Sequence, residues 1–204
     1  MSNKNTDGRG VFEWKMTKNL TFFQIILAFL LPSIIAFFGF RLVLPSLVSN
    51  GYPKVLMWGI VAIIMLFVLV AIGILLNKYD AKKLKISLKE RLCINKISGK
   101  QWLICFGIMI IGLMLSMTVK PVVEPITRIP GFSIPDYMPF WLNPTIDVVN
   151  TDVNILSPGY PLKGNYILLI LMAFALLLNI LAEEIYFRAW LLPKMQCLVN
   201  GVGF

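Results

Sequence analysis

The hydrophobic positions of this chain do not alternate with polar ones but gather into four long runs, at residues 20–40, 55–76, 102–119 and 166–182. The first holds no charged side chain and is interrupted only by Gln24 and by Pro32, where a kink is expected. The second is the cleanest. The fourth continues as a predicted helix through a charged cluster to about residue 192, just before Pro193. A helix rises about 1.5 Å per residue, so roughly 20 apolar residues cross a hydrocarbon core about 30 Å thick. Helices are the expected spanning form, because the runs lack the two-residue alternation of a barrel strand. The pattern therefore predicts an all-α fold, a polytopic helical membrane bundle with four transmembrane helices. A cleaved signal peptide fits the first run poorly: the run is too long, no small-x-small site closes it, and further spans follow.

The segments between the runs set an orientation. A leader, residues 1–19, precedes a single membrane domain, 20–204, and carries Lys4, Arg9, Lys15 and Lys18. The connection 77–101 holds eight Lys and Arg in 25 residues, whereas 120–165 has three against the four acids Glu124, Asp136, Asp147 and Asp152. Cytoplasmic loops hold the excess of basic residues, so the amino terminus and 77–101 are expected inside and 120–165 outside. Leu84, Ile86, Leu88 and Leu92 among the lysines suit either an amphipathic segment on the inner leaflet or a solvated basic loop. The outer loop carries eight of the twelve prolines, so it cannot be one long helix. Its FSIPDYMPFWLN stretch suits the headgroup layer or a lid.

Composition agrees with a cell-membrane protein: 58% of the 204 residues are hydrophobic and 14% charged. The net charge of +9 is clustered beside the spans, which points to the lipid bilayer and its anionic headgroups as partners and not to nucleic acid. Cys93, Cys105 and Cys197 form no C-x-x-C pair, and no disulfide framework, zinc site or cofactor motif is legible.

The fourth run ends on LAEEIYFRAW, where Glu183, Glu184 and Arg188 break an otherwise uncharged helix. Glu183 lies 17 residues beyond Tyr166, about 26 Å along an inward-running helix, on the cytoplasmic side of the core. A charge costs about 2.5–3.5 kcal/mol at mid-bilayer and less toward the interface, so residues placed there usually serve a function and face a cavity or a partner. On an α-helix adjacent residues point about 100° apart, which separates Glu183 from Glu184. Glu184 and Arg188, at i and i+4 with the glutamate first, are placed to pair. Glu183 is left elsewhere, one turn from Asn179. A buried carboxylate held away from cations there would suit a general base for water. The residues alone leave a second reading open, in which the helix ends early and all three are interfacial charges, with Arg188 reaching lipid phosphate.

LAEEIYFRAWLLPKM resembles the first signature of the CPBP family, the CAAX-protease and bacteriocin-processing membrane peptidases, also called Abi. That pattern is E-E-x-x-x-R with an aromatic before the arginine, a small residue after it and then an apolar run. Glu183, Glu184, Phe187 and Arg188 match it, and Ala189 stands where glycine is commonest. The resemblance implies a helical bundle with a catalytic cavity open to the cytoplasm, and peptide substrates, prenylated or leader-bearing. In it Glu183 would activate water for attack on the peptide bond, supported by Glu184 and Arg188. It also implies two later signatures, F-x-x-x-H and H-x-x-x-N, whereas this chain contains no histidine. The chain stops sixteen residues past Arg188, in a stretch that reads like the start of a further helix. The four spans are therefore expected to be the amino-terminal part of a larger bundle, with little or no peptidase activity of their own. The alternative is a non-catalytic membrane protein, such as an immunity protein, a scaffold or a transporter subunit.

Overall fold

Polar side chains begin the apolar helices by taking up the free amides of the first turn. Thr21 and Gln24 do so reciprocally, the Gln24 amide donating to Thr21 Oγ1 at 3.4 Å and the Thr21 amide to Gln24 Oε1 at 3.0 Å. Ser98 with Gln101 and Ser87 with Glu90 repeat the arrangement, and Asn165 Oδ1 accepts from the Leu168 amide at 3.0 Å. Gln24, which looked like an interruption, is thus part of a helix start.

The computed structural model describes residues 17–94, 98–118, 125–127, 129, 132–143, 146, 150–152, 155–157 and 159–195. The leader before Thr17, together with Lys96, Glu124, Asp147, Cys197 and the stretch 196–204, lies outside the described residues. In chain order, α1 (Phe22–Phe37) passes through a π-helical turn (Phe38–Val43) into α2 (Leu44–Ser49). After Gly51, which turns the chain at a φ of +87°, come α3 (Lys54–Leu84), the short α4 (Leu88–Arg91) and α5 (Gly99–Thr118). α6 (Tyr166–Ala182) runs into a π-helix (Glu183–Leu191) and a closing 3-10 turn (Leu192–Met195).

The chain is an all-α, multi-pass membrane protein. Among the described residues three helical stretches are long and apolar enough to cross a membrane: Phe22–Ser49, Lys54–Leu84 and Tyr166–Met195. A shorter apolar stretch, Gly99–Gly112, lies where the third of four spans was expected. Two boundaries differ from the sequence expectation for the same reason. Hydropathy marks where apolar side chains stop, but the backbone continues helical past Arg41 to Ser49 and past Lys78 to Leu84. The first eight residues of the expected inner loop are therefore helix. α3 ends on Lys85, a non-glycine residue at a φ of +57°, with the Ile86 amide closing onto the Ala81 carbonyl at 3.1 Å. The Ser87 cap then starts α4, which turns Arg91 inward.

By contacts the chain forms two compact units, one of residues 1–37, 63–94 and 174–204 and the other of 38–62 and 95–173. In the second, Val55, Phe140 and Leu168 make the core, and Trp58 stacks on Phe40 and meets Trp141 edge-on. Arg41 Nη1 donates to the Tyr137 hydroxyl, and Lys54 Nζ to the Asp136 carbonyl, each at 3.4 Å. These contacts tie the DYMPFW stretch to the helices of its own unit. In α5, Trp102, Leu103, Ile104, Phe106, Ile108, Met109, Ile111, Met114 and Leu115 are exposed, as suits a helix in lipid.

The first unit packs Leu69 and Val70 of α3 against Leu178, Ala182 and Tyr186. Here the expected Pro32 discontinuity finds its answer. Proline has no amide hydrogen, so Ala28, four residues earlier, loses its helical donor. The Tyr186 hydroxyl supplies one, donating to the Ala28 carbonyl at 2.7 Å from a side chain that is 1% exposed. Neighbouring helices commonly satisfy proline-freed carbonyls in this way.

Candidate functional site

The E-E-x-x-x-R segment lies wholly in the first unit, and its backbone is not α-helical. Along α6 and its continuation the most buried residues are Ala175, Leu178, Ala182, Tyr186 and Leu191, so the steps run 3, 4, 4 and then 5. The last step is the i→i+5 register of a π-helix, and the Leu192 amide accordingly bonds to the Phe187 carbonyl.

Two side-chain donors from outside the segment meet its carbonyls. Asn77 Nδ2 donates to the Ile185 carbonyl at 3.0 Å and Arg91 Nη1 to the Ala189 carbonyl at 2.6 Å. Gly73 permits the approach, because a Cβ there would sit 3.0 Å from Ile185 Cγ2 and 3.3 Å from the Tyr186 backbone. Gly73, Asn77 and Asp80, spaced i, i+4 and i+7, place one face of α3 against this segment.

Asp80 anchors the far end. Its carboxylate accepts from Arg91 Nη2 at 3.2 Å and from Lys194 Nζ at 2.7 Å, with the Arg91 side chain only 1% exposed. One carboxylate thus meets two cations. The remaining positive charge is spread over the Ala189 carbonyl and the Trp190 ring, whose centroid lies 5.1 Å from Lys194 Nζ. Both are suited to it, a helix carboxyl end because its carbonyls are partly negative and an aromatic face through its quadrupole. The chain before α1 closes onto the same turn: the Leu20 amide donates to the Lys194 carbonyl at 3.0 Å and Thr17 Oγ1 to the Pro193 carbonyl at 3.3 Å.

The three charges of the motif lie on the other side. Glu184 pairs with Arg188 Nη1 at 3.0 Å, the i, i+4 partnership expected from spacing, with side chains 48% and 73% exposed. Glu183 Oε1 accepts from Asn179 Nδ2 at 3.2 Å. Glu183 is exposed too, where a cavity-facing, buried carboxylate was expected. A step of 100° per residue had assigned the glutamates to separate faces. Both lie outward, and their separate tasks follow from their partners.

Sequence reasoning passed over Asn77, Asp80, Arg91 and Lys194. Arg91 counted only as one of eight loop cations, although the lone early acid of that basic stretch, Asp80, was a usable signal that some of those cations turn inward. No group of three or more His, Cys, Asp or Glu side chains placed to hold a metal ion occurs among the described residues. The chain matches no family model, no curated protein and no solved structure.

Proposed function

We propose that this protein is a membrane-embedded homologue of the CPBP peptidases, in which Glu183 is the carboxylate that polarises water and peptide substrates approach from the cytoplasmic face. One observation carries the reading. Glu184 engages Arg188, so the second carboxylate has an amide for its partner in place of a cation. An amide on one oxygen orients the carboxylate and leaves the other oxygen for a water, which is what a general base requires. Amide hydrolysis also needs donors for the developing oxyanion, and loss of one commonly lowers the rate about 100- to 1,000-fold. In the family the later signatures supply histidines for this, and the sequence contains none, so little or no peptide turnover is expected of it.

In this reading α5 is a fourth span, and the amino terminus and the basic connection face the cytoplasm. Lys78, Lys82, Lys83, Lys85 and Lys89 are exposed and would lie against anionic headgroups. The exposure of Glu183 favours a second reading, a non-catalytic membrane protein such as a scaffold, an immunity protein or a transporter subunit.

A photoreactive farnesylated CAAX peptide and a photoreactive leader peptide, added to the full chain in nanodiscs, separate the two. The first reading expects attachment within residues 179–191, competed by unlabelled peptide, with no Glu183-dependent cleavage. Labelling no stronger than that of a scrambled, unprenylated peptide overturns it in favour of the second. Cleavage lost in Glu183→Gln would overturn the claim of inactivity.

A further inference from the structure

We propose that Asn77 and Arg91 are positioning residues, which hold Glu183–Leu191 in its wide register and thereby fix the direction in which Arg188 points relative to Glu183. The inference rests on the reading of Glu183 as the working carboxylate, but its structural half can be tested without that reading.

Both side chains are buried, Asn77 at 0% and Arg91 at 1% exposure, and each donates to a backbone carbonyl of the segment. The Asn77 amide nitrogen has two hydrogens and two carbonyl partners, Gly73 at 2.8 Å and Ile185 at 3.0 Å. Since both neighbours are acceptors, the amide cannot be flipped without facing oxygen to oxygen. Arg91 bridges in the same manner, one nitrogen on the Ala189 carbonyl and the other on Asp80, which also holds Lys194. The segment is thus gripped at two carbonyls four residues apart, and again just beyond its end.

The wide turn has a consequence for phase. Moving from an i→i+4 to an i→i+5 ladder adds about one residue to the turn, so everything downstream is rotated relative to an uninterrupted α-helix. That rotation lets Leu191 follow Tyr186 into the core and brings Lys194 to Asp80, while Glu183, Glu184 and Arg188 stay outward. Were the two grips absent, the ladder would relax toward α geometry, because isolated π segments are rare. Lys194 would turn away from Asp80, and Arg188 would turn with it relative to Glu183.

Hydrogen exchange of the full chain in nanodiscs reads whether the closing turn stays docked, since a change of register undocks Leu191 and Lys194. Asn77→Leu and Arg91→Met are each expected to lower protection of amides 190–192 and 194–195 about tenfold or more, with amides 60–76 of α3 unchanged. Arg91→Lys, which keeps a cation able to reach Asp80 and a carbonyl, is expected to recover most of the Arg91 effect. Unchanged protection in both variants, or a loss spread evenly into 60–76, overturns the proposal. If Arg91→Met does not accumulate, Asn77→Leu alone decides by the same two criteria.

The functional half uses the farnesylated photoreactive peptide, with attachment to 179–191 expected to fall several-fold in Asn77→Leu. Equal attachment to wild type and Asn77→Leu sinks the positioning role. A wild type that has the register but captures no peptide sinks the reading of Glu183 and leaves the register standing.

Discussion

Removing one hydroxyl tests how this chain tolerates a proline inside its first span. In Tyr186→Phe the ring still fills its site, but the Ala28 carbonyl loses the donor 2.7 Å away and has no amide at Pro32 to fall back on. A buried acceptor left without a partner costs about 1–3 kcal/mol. Interhelical hydrogen bonds in membranes average about 0.6 kcal/mol and reach about 1.7, because the inserted but unpacked chain finds other partners. Here that escape is narrowed, since proline denies the carbonyl its own helix in both states, and the expected loss is at the upper end, about 1.5 kcal/mol. The control is Pro32→Ala, which returns a backbone amide to Ala28. In that background Tyr186→Phe should cost only about 0.5 kcal/mol, a coupling of about 1 kcal/mol for residues in one hydrogen-bond network. Reversible unfolding in mixed micelles, followed by helical circular dichroism, measures all four corners of the cycle. A Tyr186→Phe loss that is equal in the two backgrounds would refute the assignment of Tyr186 as the substitute donor for Pro32.

Two other substitutions probe the same unit. Asp80→Asn leaves Arg91 and Lys194 buried without their carboxylate, and a loss of about 3 kcal/mol is expected. Adding Lys194→Met should restore part of it, which unfolding of the single and double variants in micelles would reveal. At Gly73, where an added Cβ would meet Ile185 Cγ2 at 3.0 Å and the Tyr186 backbone at 3.3 Å, Ala is expected to destabilise by about 1 kcal/mol. Val should cost more, up to about 3 kcal/mol through overpacking, read as a lowered thermal midpoint.

The spans were legible because crossing a bilayer demands a length of apolar side chains, and length is written in the sequence. Their true ends were not, since Lys78, Lys82 and Lys83 are as good helix formers as the residues before them and hydropathy does not see backbone. Within the candidate site the Glu184–Arg188 pair was readable from its local i, i+4 spacing. The Asp80 cluster was not, because its members are 11 and 114 residues apart and meet only by tertiary packing. The register of Glu183–Leu191 was hidden for a related reason. Nothing in EEIYFRAWL departs from helical composition; the widening is imposed by Asn77 and Arg91 from outside the segment.

The bond between Tyr186 and Ala28 also has a clock attached to it. Its partners are 158 residues apart, an interval that a ribosome adding about 5–20 residues per second fills in about 8–30 s. For that time α1 sits in the membrane with its Ala28 carbonyl unanswered, and the hydroxyl that will answer it has not been made. Insertion of the first span and completion of its hydrogen bonding are therefore separate events in the life of each molecule. The first helix can be bent, hydrated or held by the insertion machinery until the helix that carries Tyr186 arrives.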